Sequence, residues 1–234
     1  MIIVAINTSS SSLSISVLEN KKTISKKYIN GKDFHSEKIL SCTKNTMSDA
    51  GIEFENVDLF AACSGPGSFT GIRVGLSFVK GMAFILNKPY VGISSLFALA
   101  YPLMCLKDEI IYSCIYANKD EIYFNSYVND GKNGKKIPTN RIDSFVEISE
   151  IKEKVKNEKK RIIFVGNMAK VCYNIATIVC PNECNAYKFY DIDVDSDYIG
   201  QAAYDEYSSG NYLNKELGAN YIKGSRAEKM WGGV

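Results

Sequence analysis

The chain has 234 residues, 46% hydrophobic and 23% charged, with 28 Lys and Arg against 26 Asp and Glu. That composition belongs to a globular protein of one or two domains and excludes a disordered chain. A formal net charge of +2 is too small to advertise a nucleic-acid surface by itself, so any RNA contact is expected to be local or made by a partner.

Ile2–Ile6 is a continuous apolar run, Leu13–Leu18 alternates apolar with serine, and Thr23–Ile29 supplies a third strand. The linkers between them are short, which favours an antiparallel meander. Asp33 or Ser36 opens a helix to about Ala50, with Ile39, Leu40, Thr43 and Met47 at helical spacing and Gly51 as its stop. Val57–Cys63 reads as a fourth strand, a glycine-rich turn follows, and an apolar helix runs to about Leu86. Pro89–Ile93 is a fifth strand leading to a helix near Ser95–Leu103, an order that sets helices against a mixed sheet.

From Lys107 the theme repeats less fully. Ile110–Tyr116 and Glu121–Val128 form a hairpin, Asp130–Lys136 a polar loop, Phe145–Asn157 a helix, Arg161–Val165 a buried strand and Asn167–Thr177 a helix. Asp195–Ser209 is a last helix before an irregular tail. The related orders suggest a duplicated α/β fold, one subdomain over residues 1–106 and the other over 107–234, with the tail returning to the first. The mixed charges of Lys152–Arg161 read as a solvated helix face. Asp191, Asp193, Asp195 and Asp197 lack the glycine and closing glutamate of a calcium loop and read as a solvated loop.

Seven cysteines without paired C-x-x-C spacing argue against a disulfide framework and against a zinc ribbon, so they are read as reduced and mostly core residues. The opening Met-Ile-Ile-Val-Ala-Ile lacks a basic leader and reads as a strand. Val74–Leu86 is interrupted by Lys80 and too short to span a bilayer. A cytoplasmic protein with no membrane contact is the expectation.

Residues 64–81, Ser-Gly-Pro-Gly-Ser-Phe-Thr-Gly-Ile-Arg-Val-Gly-Leu-Ser-Phe-Val-Lys-Gly, carry the most information. Gly71 is followed by Ile72 and Arg73, not by the Lys-Ser/Thr of a Walker A loop, and Thr70 stands where a dinucleotide fingerprint needs its third glycine. Gly65 and Gly67 open φ values closed to other residues, and Ser68 or Thr70 caps the helix that follows. Apolar residues surround most of that helix, Arg73 and Lys80 leave a narrow polar stripe, and Gly71, Gly75, Ser77 and Gly81 form rows of small residues. Two readings stand: a central helix buried in its own domain, or a subunit interface shared with the Ser36–Ala50 helix, where Met47 is an adaptable contact.

This stretch resembles the signature of the TsaB (YeaZ) family. Ile-Val-Ala-Ile-Asn-Thr-Ser near the start, His-Ser-Glu at 35–37, Val-Gly-Ile-Ser-Ser-Leu at 91–96 and Asn-Tyr-Ile-Lys-Gly-Ser-Arg-Ala-Glu at 220–228 agree with it in order. The resemblance implies an actin-like ATPase fold, shared with acetate and sugar kinases, whose second subdomain is degenerate. It also implies a non-catalytic scaffold in the machinery that places threonylcarbamoyl on adenosine 37 of tRNAs reading codons that begin with A. In that family the scaffold pairs with the catalytic paralogue TsaD, recruits the ATPase TsaE and forms homodimers through the same two helices. Carried onto this chain, the interface comprises His35, Ile39, Leu40, Thr43 and Met47 on the first helix. On the second it comprises Arg73, Val74, Gly75, Ser77, Phe78, Gly81, Met82 and Ile85.

The catalytic paralogue holds a metal with two histidines, whereas His35 is the single histidine here, so that site cannot be built and no metal is expected. His35 is read as a cap or interface residue. TsaB proteins usually keep the superfamily's aspartate at the end of the first strand; here that position is Asn7, which lacks the charge that attracts magnesium. Asn7, Thr8 and Ser9 with Gly65, Gly67, Ser68 and Thr70 make the candidate phosphate loop. No tightly bound cofactor is expected; ATP or ADP would sit at a boundary with TsaD or TsaE. The alternative is a nucleotide-dependent phosphotransferase or ATPase using the same loops; a third reading is a homodimer of unrelated purpose. A serine hydrolase would have only His35 to serve as its base and lacks the Gly-x-Ser-x-Gly elbow. tRNA is expected to be gripped mainly by partners, and Tyr221, Lys223, Arg226, Lys229 and Trp231 of the tail to pack or dock on protein.

Overall fold

A computed structural model describes residues 1–31, 36–128, 142–181, 187–210, 218–220 and 222, with the side chains of Ser36 and Glu37 left aside. His35 and the five aromatic and basic tail residues therefore lie outside the described residues.

The apolar run of β1 (Ile2–Asn7) is central because both its faces are covered. It pairs antiparallel with β2 (Ser12–Glu19) and parallel with β4 (Leu59–Gly65). With β3 (Lys22–Asn30) and β5 (Tyr90–Ser94) this makes a five-stranded sheet of order β3-β2-β1-β4-β5, in which the expected meander is present. Val4, Ile6, Ile15 and Val17 pack beneath α1 (Ser36–Ala50) and α2 (Phe69–Leu86). Ile3, Ala5 and Leu18 pack on the opposite face beneath α6 (Ser196–Ser208). Alternation in β2 would leave Ser14 and Ser16 in water; instead both are buried and hydrogen-bonded to the start of α6, Ser14 accepting from the Ser196 amide at 3.0 Å.

The second half repeats this plan. The strands β6 (Glu109–Tyr116), β7 (Glu121–Val128), β8 (Ser144–Glu147), β9 (Arg161–Val165) and β10 (Tyr187–Tyr190) lie in the order β10-β9-β6-β7-β8. Taken from its far edge, that is the topology of the first sheet. The helices and the edge strand are reduced: α4 (Ile151–Lys156) has 6 residues where α1 has 15, α5 (Ala169–Val179) has 11 where α2 has 18, and β8 has 4 where β3 has 9. The wholly buried α3 (Ser95–Ala100) packs against both sheets and joins the halves in one apolar cluster.

Four expectations are corrected. Phe145–Asn157 is not one helix: Val146 pairs with Ile122 of β7 and turns inward, so the segment begins as β8 and becomes helical only where Ile151 and Val155 take up a four-residue spacing. Strand β10 was not expected. The α6 segment, assigned to the second subdomain, packs on β1 and β2 of the first. The aspartate run is a clasp, not a solvated loop: Asp197 accepts from Ser16 and Thr23, and Lys26 pairs with both Asp195 and Asp197.

Among the described residues α2 is the one helix long and apolar enough by composition to cross a membrane. Its Ile72, Leu76, Val79 and Ala83 are seated on the first sheet, as in a domain helix.

Candidate functional site

The carboxyl ends of β1, β4, β6, β9 and β10 converge on a cleft of about 710 Å³ between the halves. This is where open α/β sheets place ligands. Thr8–Ser11 and Pro66–Gly71 form one wall, and Tyr116, Asn167 and Asp191–Val194 face them.

Within the first wall the two candidate phosphate loops bind each other. The Ser68 amide donates to the Ser9 carbonyl at 2.7 Å, and the Thr8 hydroxyl donates to the Gly71 carbonyl at 2.6 Å. A Cβ on Gly67 would fall inside the Ser9 carbonyl, one on Gly71 inside the Thr8 carbonyl, and one on Gly75 onto the Thr8 hydroxyl. These glycines therefore allow loop to close on loop. Gly65 and Gly67 hold positive φ, and the Ser68 side chain caps α2 by accepting from the Gly71 amide. Thr70 is exposed at the rim.

Asn7 is fully buried and fully engaged. Its carbonyl oxygen accepts from the Ser9 amide at 3.0 Å and the Ser9 hydroxyl at 2.7 Å, and its amide donates to the Val194 carbonyl at 2.9 Å. Of the amide hydrogens on these loops, those of Ser9 and Ser68 are thus committed within the protein. Among the described residues lining the cleft, the charged side chains are Asp191 and Asp193. Carboxylates without a lysine or arginine repel an anion. No group of three potential metal ligands occurs among the described residues.

The interface candidates divide sharply. Ile39, Thr43 and Met47 are turned into the core beneath α1 and Gly75 is packed on Thr8, which corrects their placement on a surface. Val74 lines the cleft. Leu40, Ser77 and Gly81 are exposed, Phe78 and Met82 are half-buried, and Ile85 is 75% exposed. The Arg73 guanidinium lies 3.7 Å from the centre of the Phe69 ring. Phe84, absent from the expected set, is the most exposed apolar side chain described, at 87%. Its signal was the largely apolar circumference of α2, which periodicity alone cannot divide into covered and uncovered stripes.

A second polar node escaped sequence reasoning. The buried Asp143 carboxylate accepts from Ser94 at 2.6 Å, Asn125 at 2.8 Å and Asn220 at 2.6 Å, with the Tyr127 hydroxyl at 3.4 Å. Burial pushes its carboxyl above the usual range, and the four donors counter part of that rise. The Asn220 backbone amide also donates to the Ser64 carbonyl of β4 at 2.8 Å.

Comparison with known proteins agrees with this architecture. Residues 18–208 match the family described as TsaD, tRNA N6-adenosine threonylcarbamoyltransferase. The tRNA threonylcarbamoyladenosine biosynthesis protein TsaB of Buchnera aphidicola subsp. Schizaphis graminum is 32% identical over 168 residues, covering 71% of this chain and 78% of the relative. The structure of YeaZ from Pseudomonas aeruginosa superposes with a TM-score of 0.69 at 19% identity, covering 90% of this chain and 95% of that one. A ROK hexokinase from Thermus thermophilus superposes with a TM-score of 0.51 at 10% identity, covering 89% of this chain and all of that one. The fold is that of the actin-like ATPases and sugar kinases, as the resemblance implies.

Proposed function

This chain belongs to the TsaB (YeaZ) family of tRNA threonylcarbamoyladenosine biosynthesis proteins, within the wider TsaD-type family, and from that footing we propose that it is a non-catalytic scaffold. Its partner is a TsaD-like catalytic subunit, and it docks through the outer face of α2. The carrying observation is that Phe84 and Ile85 stand 87% and 75% exposed on an 18-residue apolar helix, with Leu40 of α1 also exposed at 42%. Large apolar side chains concentrated on one helix mark an interaction surface. The same face supports a homodimer when the partner is absent, and the assembly recruits a TsaE-like ATPase.

The closed loops and the single histidine speak against turnover by this chain. We assign ATP or ADP to a boundary with the TsaD-like or TsaE-like subunit, because the chain's own cleft presents carboxylates and already-committed amides. The test is co-elution with a TsaD-like protein in gel filtration. Phe84→Glu combined with Ile85→Glu abolishes pairing while circular dichroism stays that of the folded protein; a doubly substituted chain that still pairs overturns the reading.

A further inference from the structure

The chain as a whole carries net +2, yet residues 151–181 hold seven cations against Glu153 and Glu158, a surplus of five that leaves the remainder at −3. The two helices of this stretch, α4 and α5, lie side by side on one face of the second sheet over a shared apolar cluster, and Lys159–Arg161 lead from α4 into β9. Ile151 and Val155 turn into that cluster, which sets Lys152 and Lys156 outward one turn apart. Lys159 and Lys160 follow, exposed, beyond the C-terminal end of α4, and Lys170 is exposed in the first turn of α5.

Ion pairs among the described residues account for only part of this charge. Lys156 pairs with Glu153 at 3.0 Å and Arg161 with Glu109 at 3.0 Å. Lys152, Lys159, Lys160 and Lys170 have no ion pair with any described residue. Lys152 and Lys170 each stand second in their helices, at the end where the helix dipole disfavours a cation. Unpaired like charges repel one another until a polyanion neutralises them. Beside them the ring of Tyr173 of α5 packs tilted, at 47°, against Phe189 of β10 with ring centres 4.9 Å apart, and Phe189 is 37% exposed, an aromatic surface on which a base can stack.

We infer that this face contacts the phosphate backbone of the tRNA handled by the complex, through Lys152, Lys159, Lys160 and Lys170, while the catalytic partner holds the reacting base. The choice of RNA as the polyanion rests on the family reading above; the surface lies on the second sheet, away from the α2 face proposed for pairing.

The experiment measures binding of the purified chain to an unmodified tRNA transcript whose anticodon reads a codon beginning with A, across a salt series. Each phosphate contact contributes about 0.7 to 0.9 to the slope of log affinity against log salt. A Lys152→Gln, Lys159→Gln, Lys160→Gln chain is expected to lose at least about tenfold in affinity at low salt and to flatten the slope by about two to three. A control with Lys22, Lys44 and Lys119 changed to Gln is expected to bind like the wild type. Absence of tRNA binding by the wild type, equal loss from both triple variants, or no loss from the first overturns the inference. So does loss of pairing with the TsaD-like subunit in the first variant, since the patch would then be a protein interface. Failure of the wild type to pair strikes the scaffold reading alone, because the RNA measurement uses the chain by itself.

Discussion

The Asn7 side-chain amide donates to the Val194 carbonyl oxygen at 2.9 Å, across 187 positions of sequence, and ties the end of β1 to the segment that leads into α6. An ionised aspartate at this position has no hydrogen to donate. Asn7→Asp would set a buried carboxylate against that carbonyl. The loss of a satisfied buried donor is expected to cost about 1–3 kcal/mol, read as a lower urea midpoint, with no ATP hydrolysis gained. A variant as stable as the wild type removes the structural role given to this amide.

Gly75 and Gly81 share a helix but are expected to answer differently to a larger side chain. A Cβ at Gly75 meets Thr8, whose hydroxyl is already held by the Gly71 carbonyl, whereas one at Gly81 meets nothing within 4 Å. Gly75→Val is expected to destabilise by about 1–3 kcal/mol through overpacking, and Gly81→Val to stay within about 0.5 kcal/mol of wild type. Thermal melts decide this. Any loss of pairing in the Gly81 variant then reports on the docking face and not on folding.

Asp143 supplies a pH dependence. Burial raises its carboxyl above the ordinary value of 3.8, so in the window just above that value the folded state binds the proton more tightly than the unfolded state. Its contribution to stability is therefore fully present below the unfolded value and is lost as pH rises through the folded one. Asp143→Asn keeps one acceptor and removes the titration. The wild-type stability minus that of the variant is expected to fall with rising pH between about pH 3 and 7; urea midpoints that keep a constant difference contradict it.

Calorimetric titration of the chain alone with magnesium ATP is expected to show no saturable heat. The Ser68 and Ser9 amides already donate to the Ser9 carbonyl and to Asn7, and among the described residues the charges facing the cleft are those of Asp191 and Asp193. Saturable binding, lost on changing Thr8 or Ser68, would instead support the phosphotransferase alternative.

Local pattern alone was enough for most of the elements and for the family. The strand Arg161–Val165 was legible to the residue, and the α1 helix to its end near Ala50 with Ser36 as one of two candidate starts, because apolar spacing and stop signals act over a few positions. The glycine-rich turn and its order among neighbouring motifs pointed to TsaB. Which side of each element is covered was settled only in three dimensions. Ser14 and Ser16 alternate like a solvent face, yet α6 arrives from some 180 residues away to bury and bond them. Met47 and Phe84 are equally apolar at helical spacing; one is sealed against the sheet and the other left in water, because periodicity names a stripe but not what packs on it. Asn7 read as a catalytic residue lost, since nothing near it in the chain reveals the Val194 carbonyl it serves; that meeting exists only once the second half folds back onto the first sheet.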